Sequence, residues 1–134
     1  MKIELIRADL TSLKIDAIVN PRSSGGEVGT ATATSGGNVL CKFVITAVIP
    51  RAGEPDEERK LYAAVWASME RAEELAVASV AFPAMGGAPA RVVLRAALDF
   101  RAHARSLQRV VFCAFSKEAH LEFARVLQEL DPTS

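Results

Sequence analysis

Charge of one sign is the first thing this sequence lacks. Its 16 basic and 16 acidic residues cancel, so no long-range field draws it to nucleic acid or to a membrane surface. That argues against a binder whose affinity rests on neutralising many phosphates. A compact anion site made of backbone N–H groups would leave no mark on net charge, so nucleotide binding stays open. Cysteine is scarce as well: Cys41 and Cys113 have no Cys-x-x-Cys or histidine spacing, which points to two buried reduced thiols rather than a disulfide or a zinc site. The two histidines, His103 and His120, have no metal-like company and no serine or cysteine elbow nearby, so Ser/His or Cys/His hydrolysis is disfavoured. No motif asks for a cofactor. No apolar run approaches membrane-spanning length, and the charges at Lys2, Glu4 and Arg7 come too early for a signal peptide. Cytoplasmic is the expected location. Internal repeats and low-complexity tracts are also absent.

What is present is a chain of 134 residues, half of them apolar, enough for one domain over 1–134 with a core of its own. Lys2 to Arg7 alternates as a strand, with Ile3 and Leu5 on one face. Ile15 to Val19 is a second strand, expected to end at Asn20-Pro21 because proline cannot donate to a ladder. A Ser-Ser-Gly-Gly loop follows. Val28 to Thr34 then alternates threonine with glycine or alanine as a third strand, and Ser35-Gly36-Gly37-Asn38 is read as its hairpin turn. Lys42 to Ile49 is nearly all apolar, as expected of a central strand covered on both faces.

From Pro50 onward the pattern changes. Gly53 to Glu58 carries proline and acids suited to a helix start, and Leu61, Val65, Ser68, Met69, Ala72 and Leu75 form its buried stripe. Tyr62 and Trp66 lie beside that stripe. Val80 to Phe82 is a buried strand, Gly86-Gly87 a turn, and Pro89 opens a helix to about Ala104. Leu107 to Phe115 is another strand, and Ser116 is a natural N-cap for the last helix. Alternating helices and strands imply parallel pairing with right-handed crossovers. The sum is a three-layer α/β domain with a mixed sheet.

Chemistry candidates are few. A strand, a glycine turn and a helix N-terminus in that order, as in Ala78 to Pro89, can aim free N–H groups at an anion, although an ordinary connection has the same form. Asp9 and Asp16 are the carboxylates next to buried strands. Asp9 sits in a turn, where it either caps its own backbone or accepts from a ligand amine, and capping is the simpler role.

Arg7-Ala8-Asp9-Leu10-Thr11, Asp16-Ala17-Ile18-Val19-Asn20, the Gly29–Thr34 and Lys42–Pro50 pair, and Ala81-Phe82-Pro83-Ala84 together resemble the macro domain family, over nearly the whole chain. The resemblance implies an α/β/α module that binds ADP-ribose or related adenine nucleotides; some members hydrolyse ADP-ribosyl bonds or ADP-ribose derivatives. It implies that Asp9 accepts from the adenine amino group, Leu10 supplies a backbone N–H and Phe115 packs on adenine. Gly86 and Gly87, with Met85 before them, would be what remains of the second phosphate loop. The family usually reads Asn-Ala-Ala-Asn where this chain has Asn20-Pro21-Arg22-Ser23, so Ser23 replaces the asparagine that positions the distal ribose. Gly25 and Gly26 run almost straight into the next strand, so the first helix is missing and with it the dipole that would make their loop an anion site. Thr46 stands where a histidine is common.

These departures imply a weak or non-catalytic binder of ADP-ribose or a smaller adenine nucleotide, with no nucleic acid or membrane partner. The alternative is a degenerate macro fold kept for protein contact or homo-oligomer formation, since losing a helix should bare apolar sheet. Hydrolysis of ADP-ribose derivatives ranks below both. The loop residue Arg22 could instead meet phosphate directly, in the bidentate manner of a guanidinium.

Overall fold

The structure is a computed structural model describing residues 1–38, 41–84 and 89–132. Six strands form one sheet: β1 (Lys2–Ile6), β2 (Ala17–Arg22), β3 (Ala31–Asn38), β4 (Cys41–Val48), β5 (Ser79–Pro83) and β6 (Arg109–Cys113). Their order is β1-β6-β5-β2-β4-β3, parallel throughout except for β3, which closes one edge antiparallel to β4. Three helices complete the fold: α1 (Glu57–Glu74), α2 (Ala90–Phe100) and α3 (Lys117–Leu130). The expected α/β class and mixed sheet are therefore present.

Topology decides which face the helices take. From β4 to β5 to β6 the chain steps across the sheet in one direction, so right-handed crossovers lay α1 and α2 on the same face. Between β1 and β2 it steps the other way, which sends residues 7–16 over the opposite face. Side chains follow the two-residue period of a strand. Ala17, Val19, Val80, Phe82, Val110 and Phe112 point into the helical core, where the Phe82 and Phe112 rings stack at 5.3 Å. Each such aromatic, fully removed from water, contributes roughly 1.5–3 kcal/mol. Their neighbours Ile18, Ala81, Val111 and Cys113 meet Ile15, Leu10 and Leu13 of the 7–16 segment in a smaller cluster.

No helix lies between β2 and β3, as the sequence implies, so the second layer consists of the 7–16 segment with its single 3-10 turn (Leu10–Ser12). Over β4 this side is thinly covered. Lys42 is exposed and Val44 and Thr46 only half-buried, while Ile45 and Ala47 on the helical side are fully buried. The expectation of a strand covered on both faces is thus corrected: β4 is next to the edge and has one dry face.

Other boundaries differ from the sequence reading: β6 is shorter than the expected Leu107–Phe115, and α2 ends at Phe100 with a 3-10 turn to His103 instead of running to about Ala104. β2 does not stop at Asn20-Pro21 but continues to Arg22, paired with Val48 of β4. Ile49 N–H donates to the Arg22 carbonyl at 2.7 Å, so Arg22 faces β4 and the Pro21 nitrogen points the other way. On that side the pairing with β5 has already ended at Ile18, so the missing N–H costs no ladder bond. β3 starts later than expected, at Ala31, and runs through Gly36 to Asn38 instead of turning at Ser35. Gly36 permits this because a β-carbon there would lie 2.5 Å from the Cys41 carbonyl oxygen.

Two carboxylates hold the ends of the strands away from the site. Asp16 Oδ2 accepts from the Ala78 and Ser79 N–H groups at 3.0 and 3.2 Å, and its backbone N–H donates to Ser79 Oγ, so β2 and β5 start together. Glu73, near the end of α1, takes the N–H groups of Arg105, Ser106 and Leu107 at 2.8–3.1 Å and the Ser106 hydroxyl at 3.0 Å. Burial works against its charge, but those N–H groups outweigh it and hold the carboxyl below its usual range. Among the described residues, no helix is long and apolar enough to cross a membrane.

Candidate functional site

Strands β1, β6 and β5 end level with one another, since Ile6 and Pro83 are both in register with Cys113. The segments leaving them (Arg7 to Leu10, Ala114 to Ser116, and Ala84) therefore emerge side by side at the carboxyl edge. In open α/β sheets that edge is where ligands are seated. A cleft of about 570 Å3 lies there, walled by Asp9 and Leu10 on one side and Phe115 and Ser116 on the other, with Pro83 and Ala84 behind. Cys113 and Phe123 form its floor, and Ala119 and Glu122 of α3 its rim.

Asp9 begins the 3-10 turn, where its Oδ1 accepts from the Thr11 N–H at 3.0 Å and the Thr11 hydroxyl at 2.9 Å. Those two bonds hold its carboxyl below the usual carboxylate range. The capping role is therefore real, and among the described residues it engages one carboxylate oxygen only. Phe115, two residues beyond the end of β6, is 73% exposed, an unusual state for a phenylalanine. Its backbone is fixed from both sides, with Ala114 N–H donating to the Ile6 carbonyl and Arg7 Nε donating to the Phe115 carbonyl at 3.2 Å. The ring is thus presented to solvent from a held main chain. Ser116 caps α3 as expected, its hydroxyl accepting from Ala119 N–H at 3.1 Å. Burial, with a smaller contribution from the Asp9 charge, pushes the Cys113 thiol up to about 11, so it stays protonated and unreactive near neutrality.

The comparisons with known proteins fit this arrangement. A family model described as the macro domain matches residues 15–100. The chain belongs to the macro domain family. A macro domain-containing protein of Caldanaerobacter subterraneus is 29% identical across 97% of this chain and 98% of its own length. An uncharacterized protein of Pyrobaculum aerophilum is 30% identical across 96% of this chain and 92% of its own length. These alignments run over 172 and 170 positions, more than the 134 residues available here, so both relatives contain residues with no counterpart in this chain. Among solved structures, the Oceanobacillus iheyensis macrodomain with ADP superimposes with a TM-score of 0.87 at 18% identity, covering 98% of this chain and 93% of that one.

Against this macro frame the sequence-derived site residues separate into groups. Asp9, Leu10 and Phe115 come together in the one cleft. Asn20 is exposed on β2 opposite Thr46, and Ser23, Gly25 and Gly26 follow in an exposed loop; none of the four lines the cleft. Gly25 needs to be glycine for conformational reasons, with φ at +91°. Met85, Gly86 and Gly87 lie outside the described residues. Sequence reasoning missed Pro83, Cys113 and Glu122. The i, i+3, i+4 spacing of Ala119, Glu122 and Phe123 from the Ser116 cap would have placed Glu122 on the face of α3 that meets the strand end. Among the described residues, no cluster of three or more histidine, cysteine or acidic side chains is arranged to hold a metal ion.

Proposed function

We propose that this macro domain binds an adenine nucleotide, ADP-ribose or a smaller relative, weakly and without catalysis, and that the adenine end rests in the Asp9–Phe115 cleft. The observation that carries this reading is a carboxylate oxygen and an exposed aromatic facing one cleft, with no helix after β2 to support a diphosphate. Asp9 supplies an acceptor for an amino group, the Leu10 N–H a donor, and the Phe115 ring a stacking surface. Macrodomain neighbours crystallised with ADP support the ligand class. Non-catalysis follows from the groups on offer. Cys113 is held as a thiol, Asp9 is engaged by Thr11, and Ser23 stands where the family's ribose-positioning asparagine would be.

A titration of thermal stability with ADP-ribose, ADP, AMP and adenosine tests the proposal, because a ligand that binds only the folded state raises the melting temperature by mass action. AMP should raise it nearly as much as ADP-ribose does, since the ribose and phosphate end adds few contacts. Asp9→Ala should reduce the shift for every adenine ligand. No shift with any of them at millimolar concentration refutes binding, and release of free ADP-ribose from an ADP-ribosylated protein refutes the non-catalytic reading.

A further inference from the structure

The cleft at the carboxyl edge is acidic in a chain whose formal net charge is zero. Among the described residues that line it, the charged ones are Asp9 and Glu122, and none is a cation. The two carboxylates reach it from opposite faces of the sheet. Asp9 belongs to the 7–16 segment, whose Leu10 packs on the face of Ile18 and Val111. Glu122 is next to Phe123, whose ring lies 5.9 Å from that of Phe112 in the helical core.

They also differ in what holds them. Asp9 is engaged by Thr11. Glu122 is exposed and has no hydrogen bond or ion pair among the described residues. Its neighbours one turn away on α3 explain why. Glu118 and Ala119 precede it and Val126 follows, so Arg125 is the one cation at helical spacing. Arg125 instead donates to Glu129 at 2.8 Å. Arg7, which leaves β1 beside the cleft, turns its Nε to the Phe115 carbonyl.

An adenine whose amino group meets Asp9 sends its ribose away from Asp9, because the amino group and the glycosidic bond lie at opposite ends of the base. The cleft, at about 570 Å3, has room for the whole nucleoside, and Glu122 stands at the side away from Asp9. A carboxylate accepts from ribose hydroxyls, and in dinucleotide sites an acidic residue on the ribose takes the free hydroxyl whereas an arginine takes its phosphate ester.

We propose that Glu122 is a specificity-determining residue: it accepts from the ribose 2′- and 3′-hydroxyls of the adenosine and turns away ligands that carry phosphate on either. This rests on the reading that the adenine end lies in the Asp9–Phe115 cleft, and it narrows the ligand class. Adenine nucleotides phosphorylated on the 5′ carbon alone are admitted. Those with a 2′- or 3′-phosphate are refused, because that phosphate would lie against a carboxylate with no cation lining the cleft to offset either charge.

Titration calorimetry of the full chain with adenosine, AMP, adenosine 2′,5′-bisphosphate and adenosine 3′,5′-bisphosphate tests it on wild type, Glu122→Gln and Glu122→Lys, with folding checked by thermal melting. Wild type should bind AMP about tenfold or more tightly than either bisphosphate, and raising the salt should shrink that preference. Glu122→Gln should gain most of that factor for the bisphosphates and nothing for adenosine, which carries no phosphate. Glu122→Lys should prefer the bisphosphates to AMP. A wild type that binds AMP and either bisphosphate equally overturns the proposal and leaves the adenine reading standing, as does a preference for AMP that Glu122→Gln keeps in full. Failure of both adenosine and AMP to bind wild type overturns the adenine reading itself, and this proposal with it.

Discussion

Replacing Glu73 by glutamine tests the physical account of how the far end of the sheet is held. The carboxylate receives four hydrogen bonds: Arg105 and Leu107 N–H groups on Oε2, and the Ser106 N–H and hydroxyl on Oε1. Glutamine keeps one acceptor oxygen and turns the other into an NH2 group facing N–H donors. Two bonds are lost and the remaining two lose their charge assistance. Hydrogen bonds to a charged group contribute about 1.5–3 kcal/mol each, but this site is half open, so water and solvent screening reduce the total to about 2 kcal/mol. An unfolding entropy near 2.1 cal/mol/K per residue makes each kcal/mol worth about 3.5 °C in a chain this long, so Tm should fall by about 7 °C at pH 7. The pH dependence has a definite sign. The folded carboxyl titrates below its ordinary value of 4.5, so its contribution is complete above that value and is lost as pH falls through the folded one. The gap between wild type and Glu73→Gln should therefore be constant from pH 6 to 8 and shrink below about pH 4. Thermal melts of both proteins across that range measure it. A gap under about 1 °C at pH 7, or one that widens in acid, refutes the reasoning.

Phe115→Ala should weaken adenine-nucleotide binding roughly tenfold or more by titration calorimetry, since stacking of a base on an aromatic contributes about 1–3 kcal/mol, while Tm stays nearly unchanged because the ring is exposed. Cys113 should resist alkylation in the native protein at pH 8 and react once denaturant is added, as a thiol titrating near 11 is roughly 0.1% thiolate there. Because that folded-state value is raised above the ordinary 9.0, stability should fall as pH climbs from about 9 to about 11, and Cys113→Ala should remove part of that fall. Gly36→Ala should lower Tm by about 10 °C, because its β-carbon meets backbone oxygen of Cys41 at 2.5 Å and the β3–β4 pair must shift, at a cost of about 3 kcal/mol.

Much of this fold was readable along the chain because each element repeats a pattern over several turns or pleats. The Leu61-to-Ala72 stripe, the Val80–Phe82 strand and the Ser116 cap are local signals, and they stand where they were expected. The misread boundaries depend on a neighbour. Pro21 is tolerated in β2 because β5 has already stopped pairing, and no local pattern carries that fact. Gly36 was read as a turn residue because glycine signals turns, whereas here it makes room for Cys41 in an extended strand. At the cleft, Asp9 and Phe115 were legible through family resemblance. Glu122 was not, because its place depends on how α3 leaves β6.

Both crossovers that carry helices, β4 to β5 and β5 to β6, step across the sheet in one direction, and α3 packs beside α2 after the last strand, so the dry core is complete without a helix between β2 and β3. The Ser23–Thr30 passage is thus a short strap rather than a layer, tied to β4 where Gly29 N–H donates to the Val48 carbonyl at 2.8 Å. Lengthening it alters the sheet face beside β2 and β4 but removes nothing from the packing around Phe82 and Phe112. The two faces of this sheet therefore answer to different stretches of the chain, the helical one to α1, α2 and α3 and the other to residues 7–16.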